Sequence, residues 1–269
     1  VRNAVGDAAL LTDADSLAGM VKGIDAAYYL VHSMAAGHGF EDMDRVAVGN
    51  FIAAVQADGG VGNVIYLGGL LPEGGAENAS PHLKSRAEVG RLLRESLPAT
   101  EFRAGPIIGS GSASFEMVRY LTERLPAMVA PKWILNTVQP IAVRDVMSYL
   151  LGALKTGPVG VVEIGADRLT FKQMMQVYAQ LRGFKRWIMP VPVLAPKLAA
   201  RWVGFVTPIS NRLAVPLVEG VIQPLLVADD SAEKHFPDIH PIPYRQAVSY
   251  ALEKVDQHTV ETRFSDALG

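Results

Sequence analysis

The amino-acid sequence predicts an α/β fold built on a doubly wound parallel sheet. Short apolar segments typical of strands alternate along the chain with longer segments in which apolar residues recur at helical spacing. The apolar segments are nearly continuous, as expected for parallel strands that are covered on both faces. Polar residues or glycines follow several of these strands at their carboxyl ends, where sheets of this kind bind ligands.

The N-terminal segment predicts a β-α-β unit. A short apolar strand ends at Gly6 and Asp7, and residues 26–31 form a second apolar strand with His32 at its carboxyl end. The helix between them carries apolar residues three or four positions apart, namely Leu17, Met20, Val21 and Ile24. No glycine-rich phosphate loop precedes this unit. We expect the chain to be a fragment whose first β-α-β element lies upstream of Val1, the alternative being a relative that has lost this loop.

The next elements continue the pattern. Residues 42–58 predict a helix that ends at a pair of glycines. The side of this helix that faces the sheet is expected to consist of Val46, Gly49, Ala53 and Val55. Residues 61–67 predict a strand that is closed by Gly68 and Gly69, and residues 84–96 predict a further helix.

The alternation of strands and helices extends to residue 182. Strands are expected at residues 100–108 and 159–164. Helices are expected at residues 114–125, 141–154 and 169–182. We interpret Asp145 as an acidic residue at the start of the second of these helices rather than as a catalyst, and Thr170 as the N-cap of the third.

The C-terminal part has a different character. Residues 187–227 are rich in apolar residues and are interrupted by prolines. We interpret them as a packed cap on the substrate side of the sheet, the alternative being a surface that contacts lipid or an apolar substrate. We therefore divide the chain into a sheet domain at residues 1–166 and a small, mainly helical substrate-side region at residues 167–269.

Composition excludes several classes of function. Of the 269 residues, 49% are hydrophobic and 19% are charged, so a large core can form and disorder is not expected. The net charge of -2, without a basic block, argues against nucleic acid as a partner. The absence of cysteine excludes disulfides and thiol catalysis, and it fits a cytoplasmic protein. No uncharged apolar run reaches the roughly 18 residues of a transmembrane helix, and the scattered histidines predict no metal site.

A series of motifs in a fixed order points to a family. The motifs are Gly6-Asp7, AAYYLVHSM, Asn50, IYLGGL, SPHLKSRAEVG, FRAGPIIGSG, PIAVRDV and VEIGADRLTFKQMM. In their order and spacing, the chain resembles atypical, extended short-chain dehydrogenases/reductases of the NmrA-like, NAD-dependent epimerase/dehydratase-like group. The resemblance covers nearly the whole chain from the family's third strand onward. It implies a Rossmann-like fold, NADP or NAD as cofactor at residues 1–166, and a small-molecule substrate; a homodimer is the oligomer to test.

The resemblance also implies which residues contact the cofactor. They lie mostly at the carboxyl ends of strands: Asp7, Ala8, Leu30, Val31, His32, Asn50, Gly68, Gly69, Arg86, Ala104, Gly105, Pro106 and Ile107. Asp7 would accept a hydrogen bond from the adenine amino group, the alternative being a helix cap. His32 would be a polar lid residue, the alternative being a histidine bonded to a loop carbonyl.

His82 and Arg86 occupy the positions of the family's Tyr-x-x-x-Lys pair. Their spacing of four residues places both on one face of a helix. The resemblance then implies that the imidazole of His82 transfers the proton, and that Arg86 holds ribose or phosphate without acting as a base. Gly68 and Gly69 stand where relatives carry a hydroxyl that polarises a substrate carbonyl, which counts against ordinary carbonyl reduction. The alternative is a binding protein in which both residues are surface residues without a catalytic role.

The segment GSGSAS at residues 109–114 imitates a phosphate loop because it lies between a strand and a helix. We reject that function because the dinucleotide fingerprint requires an acidic residue about 20 positions further on, and none is present. Ser110 and Ser112 could instead bind an anionic part of a substrate.

These observations predict an NAD(P)-dependent oxidoreductase or epimerase-like enzyme that acts on a small, fairly apolar substrate. The alternative is a non-catalytic protein that binds NAD(P)(H) as a redox sensor or has a structural role. The residue that discriminates NAD from NADP would lie upstream of Val1.

Overall fold

The computed structural model describes residues 11–33, 39–192, 206–259 and 261. The strands are β1 (Ala26–Tyr29), β2 (Asn63–Gly69), β3 (Ala99–Ala104), β4 (Ile107–Ile108), β5 (Ala127–Pro131), β6 (Thr137–Val138), β7 (Ile141–Ala142), β8 (Gly160–Ile164), β9 (Leu169–Thr170) and β10 (Trp187–Val191). The α-helices are α1 (Phe40–Asp58), α2 (Pro81–Ser96), α3 (Ala113–Arg124), α4 (Val143–Thr156), α5 (Phe171–Leu181), α6 (Asn211–Gly220), α7 (Ser231–His235) and α8 (Tyr244–Asp256).

The main sheet is parallel, with the strand order β1-β2-β3-β8. The register pairs Tyr29 with Tyr66 and, on the next strands, Phe102 with both Leu67 and Val162. Helix α1 connects β1 to β2, and α2 connects β2 to β3, as expected for parallel strands. The prediction of an α/β fold with a parallel, Rossmann-like sheet is confirmed.

Both faces of this sheet are covered, which explains the continuous apolar character of its strands. In β2, Val64 and Tyr66 are buried in the cluster that contains Phe51 of α1 and Leu93 of α2. Ile65 points to the opposite face, where it is buried in the cluster that contains Tyr149 of α4. The period of two along the strand therefore places successive side chains in two different cores.

The buried side of α1 differs from the prediction. The buried residues are Asp44, Ala47, Val48, Phe51 and Val55. Of the four residues expected to face the sheet, only Val55 is buried, and Val46 is 49% exposed. The buried face of the helix is rotated relative to the predicted one, and it includes the carboxylate of Asp44, a residue type that is usually exposed.

Outside the main sheet lie strands that were not predicted from the sequence. β5 and β10 pair in parallel as a separate two-stranded sheet. Pro190 is compatible with β10 because each strand of a two-stranded sheet has a free edge. The cluster beneath this sheet joins Phe115 of α3, Tyr178 of α5 and Tyr244 of α8.

Several predicted boundaries shift. The strand predicted at residues 100–108 is interrupted at Gly105 and Pro106, so that β3 and β4 belong to different sheets. The helix predicted between the first two strands is a short 3₁₀ helix, Ala14–Leu17, in the described part of the chain. Thr170 does cap α5 and forms a capping box with Gln173. None of the helices in the described residues is both long and apolar enough to cross a membrane.

Candidate functional site

A cavity of about 350 Å³ lies at the carboxyl ends of β1, β2 and β3. Residues at or just after the ends of these strands line it: His32, Gly68, Gly69, Leu70, Ala104, Gly105, Pro106 and Ile107. Helix α2 contributes His82, Leu83 and Arg86. The cavity therefore brings together nine of the predicted site residues at the edge where parallel α/β sheets bind ligands.

Helix α2 begins at Pro81, three residues before the predicted start, and therefore includes both His82 and Arg86. Both of these side chains line the cavity. Ser80 is its N-cap and accepts a hydrogen bond from the Leu83 amide at 3.4 Å, and Pro81 opens the first turn. His82 thus lies within the first turn and Arg86 one turn later. The predicted one-face arrangement of the pair is present in the structure.

Arg86 is anchored to the end of β2. Its guanidinium donates a hydrogen bond to the carbonyl oxygen of Leu67. The hydroxyl of Tyr66 donates to the backbone carbonyl of Arg86 at 3.1 Å. These two contacts fix a permanent positive charge beside the cavity, because a guanidinium stays protonated in proteins.

His32 and His82 are both held in the neutral form. Burial, and after it the proximity of Arg86 and of His32, together lower the pKa of His82 to about 3. Burial also lowers the pKa of His32 to about 4, with Arg86 acting in the same direction and the carboxylate of Asp44 opposing it. A neutral imidazole offers one N–H donor and one acceptor nitrogen. The Nδ1 atom of His32 is buried without a hydrogen-bond partner among the described residues.

The glycines of the site bring neighbouring elements close to the strand ends. A Cβ atom on Gly105 would lie 1.7 Å from the carbonyl oxygen of Gln139, and one on Gly69 would lie 2.8 Å from Leu83 Cδ2. Backbone hydrogen bonds also join the strand ends, since the Leu70 amide after β2 donates to Ala104 O of β3 at 2.9 Å and the Gly105 amide after β3 donates to Ile164 O of β8 at 3.2 Å. The close packing fixes the shape of this wall.

Much of the remaining lining is apolar. It includes Met117 of α3, Phe171 of α5, Leu213, Pro216 and Leu217 of α6, and Val221 and Leu225, together with Ser112 and Ser114. The residues from Leu213 onward belong to the segment predicted to form the substrate wall. The cavity therefore combines two imidazoles and a guanidinium with a largely hydrocarbon lining.

Ser110 and Ser112 use their hydroxyl groups within the fold. Ser112 caps α3 by accepting from the Phe115 amide at 3.3 Å, and its hydroxyl donates to Ile107 O at 2.9 Å. The hydroxyl of Ser110 donates to Thr259 O at 3.0 Å. Ser112 lines the cavity, whereas Ser110 is fully buried and is not among the lining residues.

Some predicted site residues are not brought to the cavity. Leu30 is 50% exposed, and Val31 packs against the core between the sheet and α1. The amide of Asn50 donates to Leu11 O at 2.9 Å and so holds the N-terminal segment. Asp7 and Ala8 lie outside the described residues.

The structure adds a buried group that the sequence analysis missed. Asp44 of α1 is 6% exposed, and its carboxylate accepts hydrogen bonds from the Ser33 amide and the Ser85 hydroxyl, both at 2.7 Å. Ser33 follows His32, and Ser85 precedes Arg86. The sequence shows that a serine lies next to each of the two candidate residues. It does not show which side chain these serines contact, so Asp44 could not be predicted.

Solved structures share this fold at low sequence identity. The triphenylmethane reductase of Citrobacter sp., crystallised with NADP(H), is 18% identical over 91% of this chain and 82% of that chain, with a TM-score of 0.67. A UDP-glucose 4-epimerase of Thermotoga maritima, crystallised with UDP-glucose, is 13% identical over 92% of this chain and 83% of that chain, with a TM-score of 0.68.

A nucleoside-diphosphate-sugar epimerase of Staphylococcus aureus is 14% identical over 88% of this chain and 81% of that chain, with a TM-score of 0.67. No protein-family model matches the chain, and no curated protein sequence does. At these identities the comparisons show the fold, and the residues of the cavity must carry the functional argument.

Proposed function

We propose that this protein binds a nicotinamide dinucleotide, NADP or NAD, and acts as an oxidoreductase or epimerase-like enzyme on a small, fairly apolar substrate. The observation that carries the proposal is the convergence of His32, His82 and Arg86 on one cavity at the carboxyl ends of three parallel strands. The Citrobacter reductase with which the chain shares its fold was crystallised with NADP(H), which supports the choice of cofactor.

The chemistry of the donor set fits the nicotinamide end of such a cofactor. Arg86 supplies a fixed positive charge for a ribose hydroxyl or a phosphate oxygen. The buried Nδ1 atom of His32 lacks a partner among the described residues and would gain one from a bound polar group. When bound, the cofactor supplies the hydride transfer.

In this proposal His82 contacts the reacting oxygen of the substrate. Because its pKa is lowered to about 3, it meets the substrate as a neutral imidazole whose N–H donates a hydrogen bond. Such a group stabilises developing negative charge on the substrate oxygen, and the proton that this oxygen takes up comes from water. The apolar side chains of the cavity hold the body of the substrate.

We retain the division of labour predicted from the sequence. Residues 1–166 would form the cofactor side and residues 167–269 the substrate side, with α6 supplying part of the wall. This division predicts that changes in α6, such as Leu217→Ala, alter the Michaelis constant for substrate and leave NADPH affinity unchanged.

The proposal is tested by NADPH and NADH binding, followed by turnover on a panel of apolar aldehydes, ketones and enones. Wild-type protein should bind at least one cofactor, and Arg86→Met should weaken binding by about tenfold, the loss of one charge-assisted hydrogen bond. His82→Ala should abolish turnover and leave cofactor affinity nearly intact. Turnover that is unchanged in His82→Ala would contradict the catalytic role.

A second function is favoured by two specific observations. Gly68 and Gly69 provide no hydroxyl at the cavity, and the lowered pKa of His82 makes it a weak base. Both fit a protein that binds NAD(P)(H) and reports the redox state without catalysis. Unequal affinities for NADPH and NADP, combined with no turnover on the panel, would favour this function over the first.

A further inference from the structure

The loop after β1 and helix α2 carry the polar groups of the cavity on two separate elements. His32 belongs to the loop, whereas His82 and Arg86 belong to the helix. Neither histidine can hold the other in place, because no hydrogen bond joins them in the described structure. Something else must fix the loop against the helix if the three groups are to act on one ligand.

The carboxylate of Asp44 makes that connection. Its Oδ1 atom accepts a hydrogen bond from the backbone amide of Ser33, and its Oδ2 atom accepts one from the hydroxyl of Ser85. The two donors are the residues next to His32 and Arg86 in the chain. Both bonds are 2.7 Å long, within the range of hydrogen bonds to a carboxylate.

The environment of Asp44 makes this link rigid. Asp44, Ser33 and Ser85 are all buried. Among the described residues Asp44 has no basic side chain within ion-pair distance, so the two hydrogen bonds are what compensates the buried charge. Loss of either bond therefore leaves a desolvated oxygen without a partner, which gives the arrangement a strong preference for one geometry.

We propose that Asp44 is a positioning residue for this cavity: it ties the loop that carries His32 to the helix that carries His82 and Arg86, and so fixes the spacing of the three groups. The inference rests on the proposed function for its meaning, since the spacing matters only if these groups share a ligand. The geometry itself is testable in the free protein.

The first readout is the NMR signals of the imidazole rings, assigned with His32→Gln and His82→Gln. Ser85→Ala is the decisive variant because it removes one hydrogen bond without changing the charge. It should shift the ring signals of both His32 and His82. Asp44→Asn should do the same, and it should also lower the pKa of His32 further, because the Asp44 carboxylate raises that pKa in the wild type.

Asp42→Asn is the matched control. Asp42 lies on the same helix, its side chain is 82% exposed, and it pairs with Arg45 on the surface. This variant should leave both ring signals and cofactor affinity unchanged. If Asp44→Asn does not fold, Ser85→Ala alone still carries the test.

The second readout is NADPH affinity, measured well below the unfolding temperature of each variant. Ser85→Ala and Asp44→Asn should bind NADPH about tenfold more weakly, as expected for one hydrogen bond to a charged group. A purely structural role would lower the unfolding temperature and leave both the affinity and the His82 signal unchanged, which would overturn the proposal.

The two readouts separate this inference from the proposed function. If the wild type binds no nicotinamide cofactor and Ser85→Ala still shifts both ring signals, the proposed function fails and the positioning role is supported. If the wild type binds NADPH and neither variant changes its affinity or the His82 signal, the positioning role is overturned and the cofactor assignment stands.

Discussion

At the scale of single residues, the two buried histidines of the cavity make the free energy of unfolding depend on pH. The folded protein protonates His82 only near pH 3 and His32 only near pH 4, whereas a histidine in the unfolded chain takes up a proton near its ordinary pKa of 6.5. Between these values the unfolded state binds more protons than the folded state. The free energy of unfolding therefore decreases as the pH falls below about 6.5.

The contribution of His82 to the pH dependence of stability can be measured. Replacing His82 with Gln should flatten the decline in unfolding free energy between pH 6.5 and pH 3, because one buried group no longer resists protonation. Each such histidine contributes a slope of up to about 1.4 kcal/mol per pH unit. Urea unfolding at a series of pH values measures the slope.

The control for this experiment is His258→Asn. His258 is exposed, and its positive φ of 55° is a backbone conformation that asparagine tolerates well. This change removes a histidine without removing a buried one, so the slope should stay as in the wild type. Equal slopes for His82→Gln and wild type would show that the imidazole is not held neutral by the fold.

At this scale His82 and Arg86 were predicted from their resemblance to the family's Tyr-x-x-x-Lys pair, whereas Asp44 was missed. The pair shares a helix face, and that local geometry can be predicted from the number of residues between them. The role of Asp44 depends on two partners from distant parts of the chain, Ser33 and Ser85. No local pattern distinguishes such a buried carboxylate from a solvent-facing one.

At the scale of elements, the packing of α2 against β3 depends on one glycine. Glu101 of β3 is buried beneath the helix, where it pairs with Arg94 and Arg103 at 2.8 and 2.9 Å. A Cβ atom on Gly90 would lie 2.4 to 2.6 Å from this carboxylate. The glycine thus creates the space in which a charged side chain is accommodated between helix and sheet.

This packing reverses the usual effect of replacing glycine in a helix. Gly→Ala within a helix normally stabilises by roughly 0.5–1 kcal/mol. Gly90→Ala should instead destabilise the protein by about 1–3 kcal/mol, because the new methyl group overpacks the site. Gly49→Ala in α1 is the matched control, since nothing lies within 4 Å of its Cβ position, and it should be neutral or stabilising.

Thermal unfolding of the two variants measures the difference. The melting temperature should fall for Gly90→Ala and stay equal or rise for Gly49→Ala. A rise for Gly90→Ala would mean that Glu101 moves away without cost, and that its two ion pairs do not define the interface.

Elements built from local signals were the most predictable. The capped helix α5 and the apolar strand β2 follow from neighbouring residues, and Thr170 does cap its helix. The pairing of β5 with β10 joins residues about sixty positions apart, so no local signal indicated it. The interruption of the predicted strand falls at Gly105 and Pro106, a Gly-Pro pair that is itself a local turn signal and that the prediction did not use.

At the scale of the whole molecule, one hydrophobic cluster spans the predicted boundary between residues 166 and 167. It contains Leu83 and Phe115 from the N-terminal side and Met174, Tyr178 and Tyr244 from the C-terminal side. The apolar wall of the cavity is continuous with this cluster. The described residues on the two sides of this predicted boundary are therefore packed together through a shared core.

A shared core predicts cooperative unfolding. Two of the three tryptophans, Trp133 and Trp187, lie in or beside the region that covers the sheet, so fluorescence contains a signal from that region, whereas circular dichroism reports on all helices. The two signals should change at the same urea concentration. A fluorescence transition at clearly lower urea would show that the region around these tryptophans unfolds before the rest of the fold.

The central claim is that the cavity beside His32, His82 and Arg86 receives the nicotinamide end of a dinucleotide. The most direct measurement is a crystal structure of the protein grown with NADPH. We predict nicotinamide and its ribose in this cavity, with Arg86 and His32 within hydrogen-bond distance of the cofactor. NADPH bound elsewhere, or a cavity that contains only solvent at saturating NADPH, would contradict the account.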